Sequence, residues 1–154
     1  MCLSLKEVGP GADDRSINGT LANRSWLASG EIALPLAHDP HDVRKVRAAG
    51  DPEWGEMHGA RPAVTRYASL ERRAGFTLLE VQIPTGVLRQ IRAHLAFLGH
   101  PLAGDALYGG PEVPGLARHF LHAARLSFTH PDGRKVTLAS NLPSDLAEAF
   151  AALK

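Results

Sequence analysis

The sequence of 154 residues is poor in features that define several large protein classes. It contains one cysteine, Cys2, which excludes a disulfide within the chain and fits a reducing cytoplasm. It contains no run of about 18 apolar residues, the length needed to cross a bilayer. Its first residues lack the basic and apolar segments of a signal peptide. We therefore expect a cytoplasmic protein without a membrane span.

Signatures of common cofactor and hydrolase sites are missing as well. There is no Gly-x-Gly-x-x-Gly loop, no Walker-type loop and no Gly-x-Ser-x-Gly elbow. His38 and His41 lie beside Asp39 and Asp42, an arrangement that suggests metal ligands. However, Pro40 interrupts the segment and no cysteine joins it, so the pattern favours a polar turn and predicts no metal.

The positive charge is concentrated in one part of the chain. Residues 61–135 carry ten basic and five acidic side chains, whereas the remainder carries seven basic and eleven acidic ones. Phosphate binding depends on local charge of this kind more than on the net charge of +1. Two interpretations stay open at this point: a phosphate-binding face, or an arginine-rich solvated surface.

A hydrophobic content of 44% is typical of a globular protein, and a length of 154 residues indicates one domain. We expect this domain to begin after a polar stretch. Residues 1–29 are interrupted by Gly, Pro, Asp and Asn, and we predict a weakly ordered leader there. Alternation of apolar residues and turn signals then predict strands, with a final helix at 144–153. The predicted strands are 31–36, 64–70, 76–83, 120–128 and 136–139, with a polar turn over 38–45, a loop over 48–62 and a hairpin connection at 71–75.

A helix is predicted from residue 87 to 98, because the apolar period changes there from two to 3.6. Gly99 stands where a left-handed cap is expected, and Pro101 prevents continuation. The helical spacing places Arg89 and Arg92 on one face. The apolar stripe consists of Leu88, Ile91, Leu95 and Leu98.

Arg92 is expected at the edge of the buried helix face, and Gln90 and His94 on another face. A partly buried guanidinium needs a carboxylate or phosphate partner, because an unpaired buried charge is costly. The pattern leaves two roles open for Arg92. It either forms a structural ion pair with Asp105 or Glu80, or it faces a substrate.

The residues after position 84 form a motif that resembles one family. The arrangement is similar to the C-terminal motif of RluA-type RNA pseudouridine synthases, and the similarity extends from about Gly30 to the end of the chain. A flanking strand, Arg61-x-Ala63-x-Thr65-x-Tyr67, agrees in order and spacing. The motif reads Thr85-Gly86, Gln90-Ile91-Arg92, His94-Leu95-Ala96, Gly99-His100-Pro101-Leu102, Gly104-Asp105 and Tyr108-Gly109.

The resemblance implies the C-terminal part of a catalytic domain over residues 30–154. The implied fold is α/β (α+β), with a mixed, mainly antiparallel sheet and flanking helices. The implied reaction converts uridine to pseudouridine in structured ribosomal or transfer RNA, without a metal or organic cofactor. In the family an aspartate attacks a flipped-out nucleotide, and the arginine that matches Arg92 pairs with this aspartate.

The resemblance also assigns roles to residues around Arg92. We expect RNA contacts from Arg89, Arg66 and His94. Other matching residues are expected to shape the site rather than react, with Asp105 fixing a loop. These are Tyr67, Thr85, Gly86, Gln90, Leu95, Gly104, Asp105 and Tyr108.

Two departures from the family pattern affect the expected activity. Val87-Leu88-Arg89 stands where the family usually shows Arg-Thr-His. The His-Arg-Leu-Asp motif that holds the nucleophile is absent, and Asp13-Asp14 in the leader does not match it. We therefore expect a truncated or split member that acts with a separate N-terminal half. A non-catalytic RNA-binding remnant is the alternative, and a degenerate product without function is a third.

Overall fold

The computed structural model of the protein describes residues 29–154 in full and the backbone of residues 2–5. The predicted leader over 1–29, with Asp13 and Asp14, therefore lies almost entirely outside the described residues. The elements in chain order are β1 (Cys2–Leu5), β2 (Ser29–Ala33), β3 (Leu36–His38), β4 (Val46–Ala48), α1 (Pro52–Met57), β5 (Val64–Arg73), β6 (Phe76–Gln82), α2 (Gln90–Phe97), a 3-10 turn (Ala106–Tyr108), β7 (Arg125–Thr129), β8 (Lys135–Ala139) and α3 (Ser144–Ala152).

The strands form one central sheet and two ribbons. The central sheet has the order β1-β6-β5-β2, while β3 pairs with β4 and β7 pairs with β8. Every one of these pairs is antiparallel. The expected mixed α/β class with mainly antiparallel strands is confirmed.

The β5–β6 hairpin is longer than the sequence indicated. The predicted five-residue connection at 71–75 is wrong, since β5 continues to Arg73 and β6 starts at Phe76. The turn consists of Ala74 and Gly75, both with positive φ (47° and 80°). Two-residue turns with positive φ follow the right-handed twist of paired strands, so a tight turn joins these long strands without splaying them.

The central sheet is covered on both faces where β6 crosses it. Leu78 packs with Phe120 and Leu146, on the side of α3. Leu79 packs with Leu95 and Leu102, on the side of α2. Burial of a leucine side chain contributes roughly 1.5–3 kcal/mol, so both layers stabilise the sheet that carries the site.

The segment between β2 and β5 contains elements that the sequence reading missed. The predicted strand at 31–36 ends at Ala33, and Leu36 starts a new ribbon by exchanging backbone hydrogen bonds with Arg61. Helix α1 lies inside the predicted loop. The Asp51 carboxylate accepts from the Glu53 N–H (3.0 Å) at its N-cap, and a proline occupies its first turn. An N-cap aspartate and a proline in the first turn both indicate the start of a helix, and both can be recognised in the sequence.

Toward the C-terminus, the predicted strand at 120–128 begins five residues late. Phe120 is fully buried and donates its N–H to the Ala103 carbonyl, so this segment packs against the loop after α2. The β7–β8 ribbon follows with an exposed apolar face. Leu126 and Leu138 are directly paired, and each is more than half exposed, as Phe128 is to 43%. The ribbon thus contributes little to the core.

The final helix matches its prediction over Ser144–Ala152, and Leu146 and Ala149 are its buried residues. Within the described part of the chain, no helix combines the length and apolarity that crossing a membrane would require.

Candidate active site

A buried ion pair between α2 and the following loop is the centre of the site. The Arg92 Nε donates to Asp105 Oδ2 at 2.7 Å, and Nη2 donates to Oδ1 at 2.7 Å. The Asp105 side chain is fully buried and that of Arg92 is 14% exposed. The hydrogen bonds to Asp105 raise the pKa of Arg92. Of the two partners that the sequence left open, Asp105 is the one that pairs with Arg92.

Asp105 also fixes the loop on which it lies. Its carboxylate accepts from the Tyr108 N–H (3.3 Å), and its carbonyl accepts from the Gly110 N–H (2.8 Å). Gly104 has a φ of +71°, a conformation that glycine adopts without the steric cost of a Cβ. The loop therefore closes on itself around the same residue that neutralises Arg92.

Tyr108 connects the ion pair to the β3–β4 ribbon. Its ring centroid lies 5.0 Å from the guanidinium carbon of Arg92, within cation–π range. Its hydroxyl accepts from the Val46 N–H and donates to the Val46 carbonyl, both at 3.0 Å. Burial raises the pKa of Tyr108, which keeps this hydroxyl a donor. The ring orientation is thus set from both ends.

Gln90 binds the start of α2 to strand β5. Its Oε1 accepts from the Thr85 hydroxyl (3.0 Å) and from the Val87 N–H (3.1 Å). Its Nε2 donates to the Val64 carbonyl (2.7 Å) and to Thr65 Oγ1 (3.1 Å). Gln90 is 2% exposed, so these bonds satisfy a buried amide. The motif residues Thr85 and Gln90 therefore position the helix that carries Arg92.

His94 continues this network into the core. Its Nε2 lies 2.9 Å from the Leu34 carbonyl, which only accepts, so Nε2 carries the proton. Nδ1 then accepts from the Thr65 hydroxyl at 2.8 Å. His94 is fully buried, so its imidazole has no surface to offer an RNA in this structure. In this structure the ring joins α2 to β5 and to the segment after β2.

Stability is expected to fall as the pH drops below 6.5 because of His94. Burial lowers its pKa below the ordinary 6.5, so on acidification the unfolded chain binds a proton first. The slope reaches at most about 1.4 kcal/mol per pH unit for one group. Urea unfolding at several pH values in this range measures it. His94→Gln should have a smaller slope than the parent, and equal slopes would contradict the assignment.

Arg89 and Arg66, the other expected RNA contacts, lie on different elements. Arg89 precedes α2 with a φ of +54°, so the helical spacing that was expected to place it beside Arg92 is wrong. Its charge still reaches Tyr108, whose pKa it lowers against the dominant effect of burial. Arg66 lies on β5, exposed and paired with Glu31 at 2.7 Å. The structure thus groups Arg89 with the ion pair and leaves Arg66 on the sheet.

The remaining motif residues have packing roles. Tyr67 and Leu95 are buried in one core cluster with Leu79. A Cβ on Gly30 would meet the Tyr67 hydroxyl at 2.5 Å, so the glycine leaves room for this ring. Tyr67 and Leu95 thus pack the sheet against α2.

His119 is a neighbour of the site that sequence reasoning missed. Burial lowers its pKa, and the charge of Arg92 lowers it further. The next residue, Phe120, binds the Ala103 carbonyl and brings this segment alongside the loop. No local pattern around residue 119 indicates this, since it follows from packing between distant segments.

The His38–His41 segment forms a turn in the structure. The Asp39 carboxylate accepts from the His41 N–H (2.8 Å), and Asp42 binds the Arg44 N–H and guanidinium. Among residues 29–154, no group of three or more His, Cys, Asp or Glu side chains is arranged to hold a metal.

The sequence of the chain is similar to those of curated RNA pseudouridine synthases. The chain is 36% identical over 153 residues to the ribosomal large subunit pseudouridine synthase D of Neisseria meningitidis, covering 91% of the chain and 39% of that protein. It is 42% identical over 120 residues to an uncharacterized RNA pseudouridine synthase of Chloroflexus aurantiacus, covering 77% of the chain and 35% of the relative. The chain thus spans about two fifths of the length of these relatives.

Solved structures share the fold. Human RNA pseudouridylate synthase domain containing 1 superposes with a TM-score of 0.67 at 21% identity, over 96% of the chain and 56% of that structure. The human domain containing 4 protein gives 0.62 at 20% identity. No family model matches the chain. The similarity in sequence to the curated relatives shows that the chain belongs, as a partial domain, to the RNA pseudouridine synthases.

Proposed function

We propose that the chain is part of an RNA pseudouridine synthase that isomerises uridine in structured ribosomal or transfer RNA. The observation that carries the proposal is the buried Arg92–Asp105 pair beside Tyr108, in a chain 36% identical to a ribosomal large subunit pseudouridine synthase. The isomerisation breaks the N1–C1′ bond and forms a C5–C1′ bond, while a proton moves from C5 to N1. We also propose a cytoplasmic location, which fits the single cysteine.

Arg92 has the geometry to hold a second carboxylate. A guanidinium has five N–H donors, and Asp105 takes one from Nε and one from Nη2. Among the contacts of the described residues, three donors are left for another acceptor, two on Nη1 and one on Nη2. Because Asp105 fixes the plane of the guanidinium, a second carboxylate would meet donors already in place. In our proposal that carboxylate is the nucleophilic aspartate of the family.

The aspartate is proposed to come from a separate N-terminal half. The His-Arg-Leu-Asp motif does not occur in these 154 residues, and the chain covers 39% of the Neisseria relative. Residues 30–154 would then supply the arginine side of a shared site, as a truncated or split member would. Arg89 and Arg66 are proposed to bind phosphates, because both carry fixed positive charge on the basic part of the chain.

Pseudouridine formation on ribosomal and transfer RNA transcripts tests this proposal. We expect no turnover by the chain alone and turnover after addition of an N-terminal half that carries the aspartate. Arg92→Lys should then reduce the rate roughly 100-fold, because lysine cannot form the bidentate fork and misplaces the carboxylate. Arg134→Lys, on the exposed β7–β8 turn, is the matched control and should leave the rate unchanged.

Other results would change the assignment. Turnover by the chain alone would contradict an external nucleophile. Salt-dependent RNA binding without pseudouridine in any combination would favour the non-catalytic RNA-binding remnant. Absence of RNA binding at moderate salt would contradict both functions.

A further inference from the structure

A groove runs from Tyr108 along the side of α2. Its volume is about 170 Å³, and it separates α2 from β4. Ala93, Ala96 and Phe97 form one wall, and β4 forms the other. Phe97 is 40% exposed, so its ring is accessible from the solvent side. Tyr108 contacts Arg92 and also lines the groove, so the groove and the ion-pair site share this residue.

Positive side chains line this groove. Lys45 and Arg47 both contribute to it, and in the described part of the chain neither forms an ion pair with a carboxylate. Asp39 also lines the groove, but its carboxylate binds the backbone N–H of His41. An apolar groove with cations at its rim matches a nucleotide, whose base is apolar on its faces and whose phosphate is anionic.

A stack of planar groups extends the groove beyond Arg47. The guanidinium carbon of Arg47 lies 4.8 Å from the centroid of the Trp54 ring. The His58 ring stacks on Trp54 with centroids 4.4 Å apart and an interplanar angle of 20°. Trp54 and His58 are both half-buried, and His58 Nδ1 lies 2.8 Å from the Trp54 carbonyl. Planar groups held in this way form a platform on which bases stack without sequence preference.

We propose that the groove and the Arg47–Trp54–His58 stack bind the single-stranded RNA nucleotides that flank the target uridine. Lys45 and Arg47 take the phosphates, while Phe97 and the stack take the bases. This inference rests on the proposed function, and it adds a substrate-binding path outside the Arg92 site. Charge, planar stacking and the shared Tyr108 each point to the same occupant.

Tryptophan fluorescence tests the path directly. The chain has two tryptophans, so Trp26→Phe leaves Trp54 as the single emitter. A single-stranded uridine oligonucleotide of about ten nucleotides, the length of one ordinary binding site, is the probe. We expect it to quench Trp54, because a stacked base quenches indole emission. The affinity of Trp54→Leu, measured by anisotropy of labelled RNA, should fall about 10-fold through loss of stacking.

A pair of arginine variants separates a specific path from general charge. Arg47→Gln and Arg44→Gln each remove one positive charge from the same segment. Arg44 is bound to Asp42 by two hydrogen bonds, so we expect less than a twofold effect there. Arg47→Gln should reduce the affinity about 10-fold and lower the salt dependence by about one phosphate contact. Because Arg47 is exposed, this variant keeps the test valid if Trp54→Leu folds poorly.

The outcomes distinguish this inference from the proposed function. RNA binding without quenching of Trp54, and with equal affinities for the two arginine variants, would overturn the path and leave the enzyme proposal intact. Quenching and loss of affinity in Arg47→Gln, with no pseudouridine formed in any combination, would support the path and remove the enzyme proposal. Absence of RNA binding by the parent chain would overturn both.

Discussion

Asp105→Asn is expected to lower the free energy of unfolding by about 3 kcal/mol, although it only replaces one carboxylate oxygen with an amide nitrogen of similar size. It removes the charge that neutralises Arg92, whose side chain is 14% exposed. A buried charge without its partner must be desolvated without compensation, and this cost dominates over the lost hydrogen bonds. Urea unfolding of both proteins at pH 7 measures the difference.

The exposed pair between Arg118 and Asp145 provides the control for that experiment. Its side chains are 41% and 48% exposed, and its Nε–Oδ2 distance of 2.7 Å equals that of the buried pair. Asp145→Asn is therefore expected to cost less than about 1 kcal/mol, because water replaces the lost partner. Equal costs for the two substitutions would contradict the conclusion that burial makes Asp105 important.

Gly110→Ala is expected to cost about 3 kcal/mol or more and to open the loop around Asp105. A Cβ at this position would overlap the Leu102 carbonyl oxygen and lie 2.9 Å from the Asp105 backbone nitrogen. Both are backbone atoms, so no side-chain rotation relieves the overlap. The loop would have to move, and the Arg92–Asp105 distances would lengthen with it. Thermal unfolding and the RNA-binding assay both report on this change.

The neighbouring glycine separates a steric effect from a conformational one. Gly109 has a φ of +75°, and a Cβ there would have no neighbour within 4 Å. Gly109→Ala thus carries only the left-handed penalty, roughly 1–2 kcal/mol. A larger loss for Gly109→Ala than for Gly110→Ala would show that backbone conformation, not space, limits this loop.

Local patterns predicted the parts of the fold that local physics determines. The left-handed Gly99 after α2 and the bounds of α3 follow from cap signals and apolar period. The pairing of Gln90 and His94 on one helix face is confirmed, since both bind Thr65. The motif from Thr85 to Gly109 also predicted the family of the curated relatives.

The structural features that the sequence did not predict depend mostly on contacts between distant segments. Arg89 adopts a left-handed conformation just before α2, so the three-residue spacing does not place it on the same helix face as Arg92. His94 is polar and matches a motif that suggests a site, but β5 and Leu34 offer it two partners in the core. The Asp51-Pro52 start signal of α1 is present in the sequence, but the surrounding glycines favoured the prediction of a loop.

The residues of the β7–β8 ribbon are almost all exposed, so the ribbon is expected to open to solvent more easily than the central sheet. A two-stranded ribbon has little stability of its own in water, whereas β6 lies under side chains on both faces. Amide hydrogen exchange should therefore be fast along the ribbon and slow in the hairpin that supports Arg92. A single free energy of unfolding then describes the part of the chain that holds the ion pair. The ribbon opens to solvent separately, at a lower free energy.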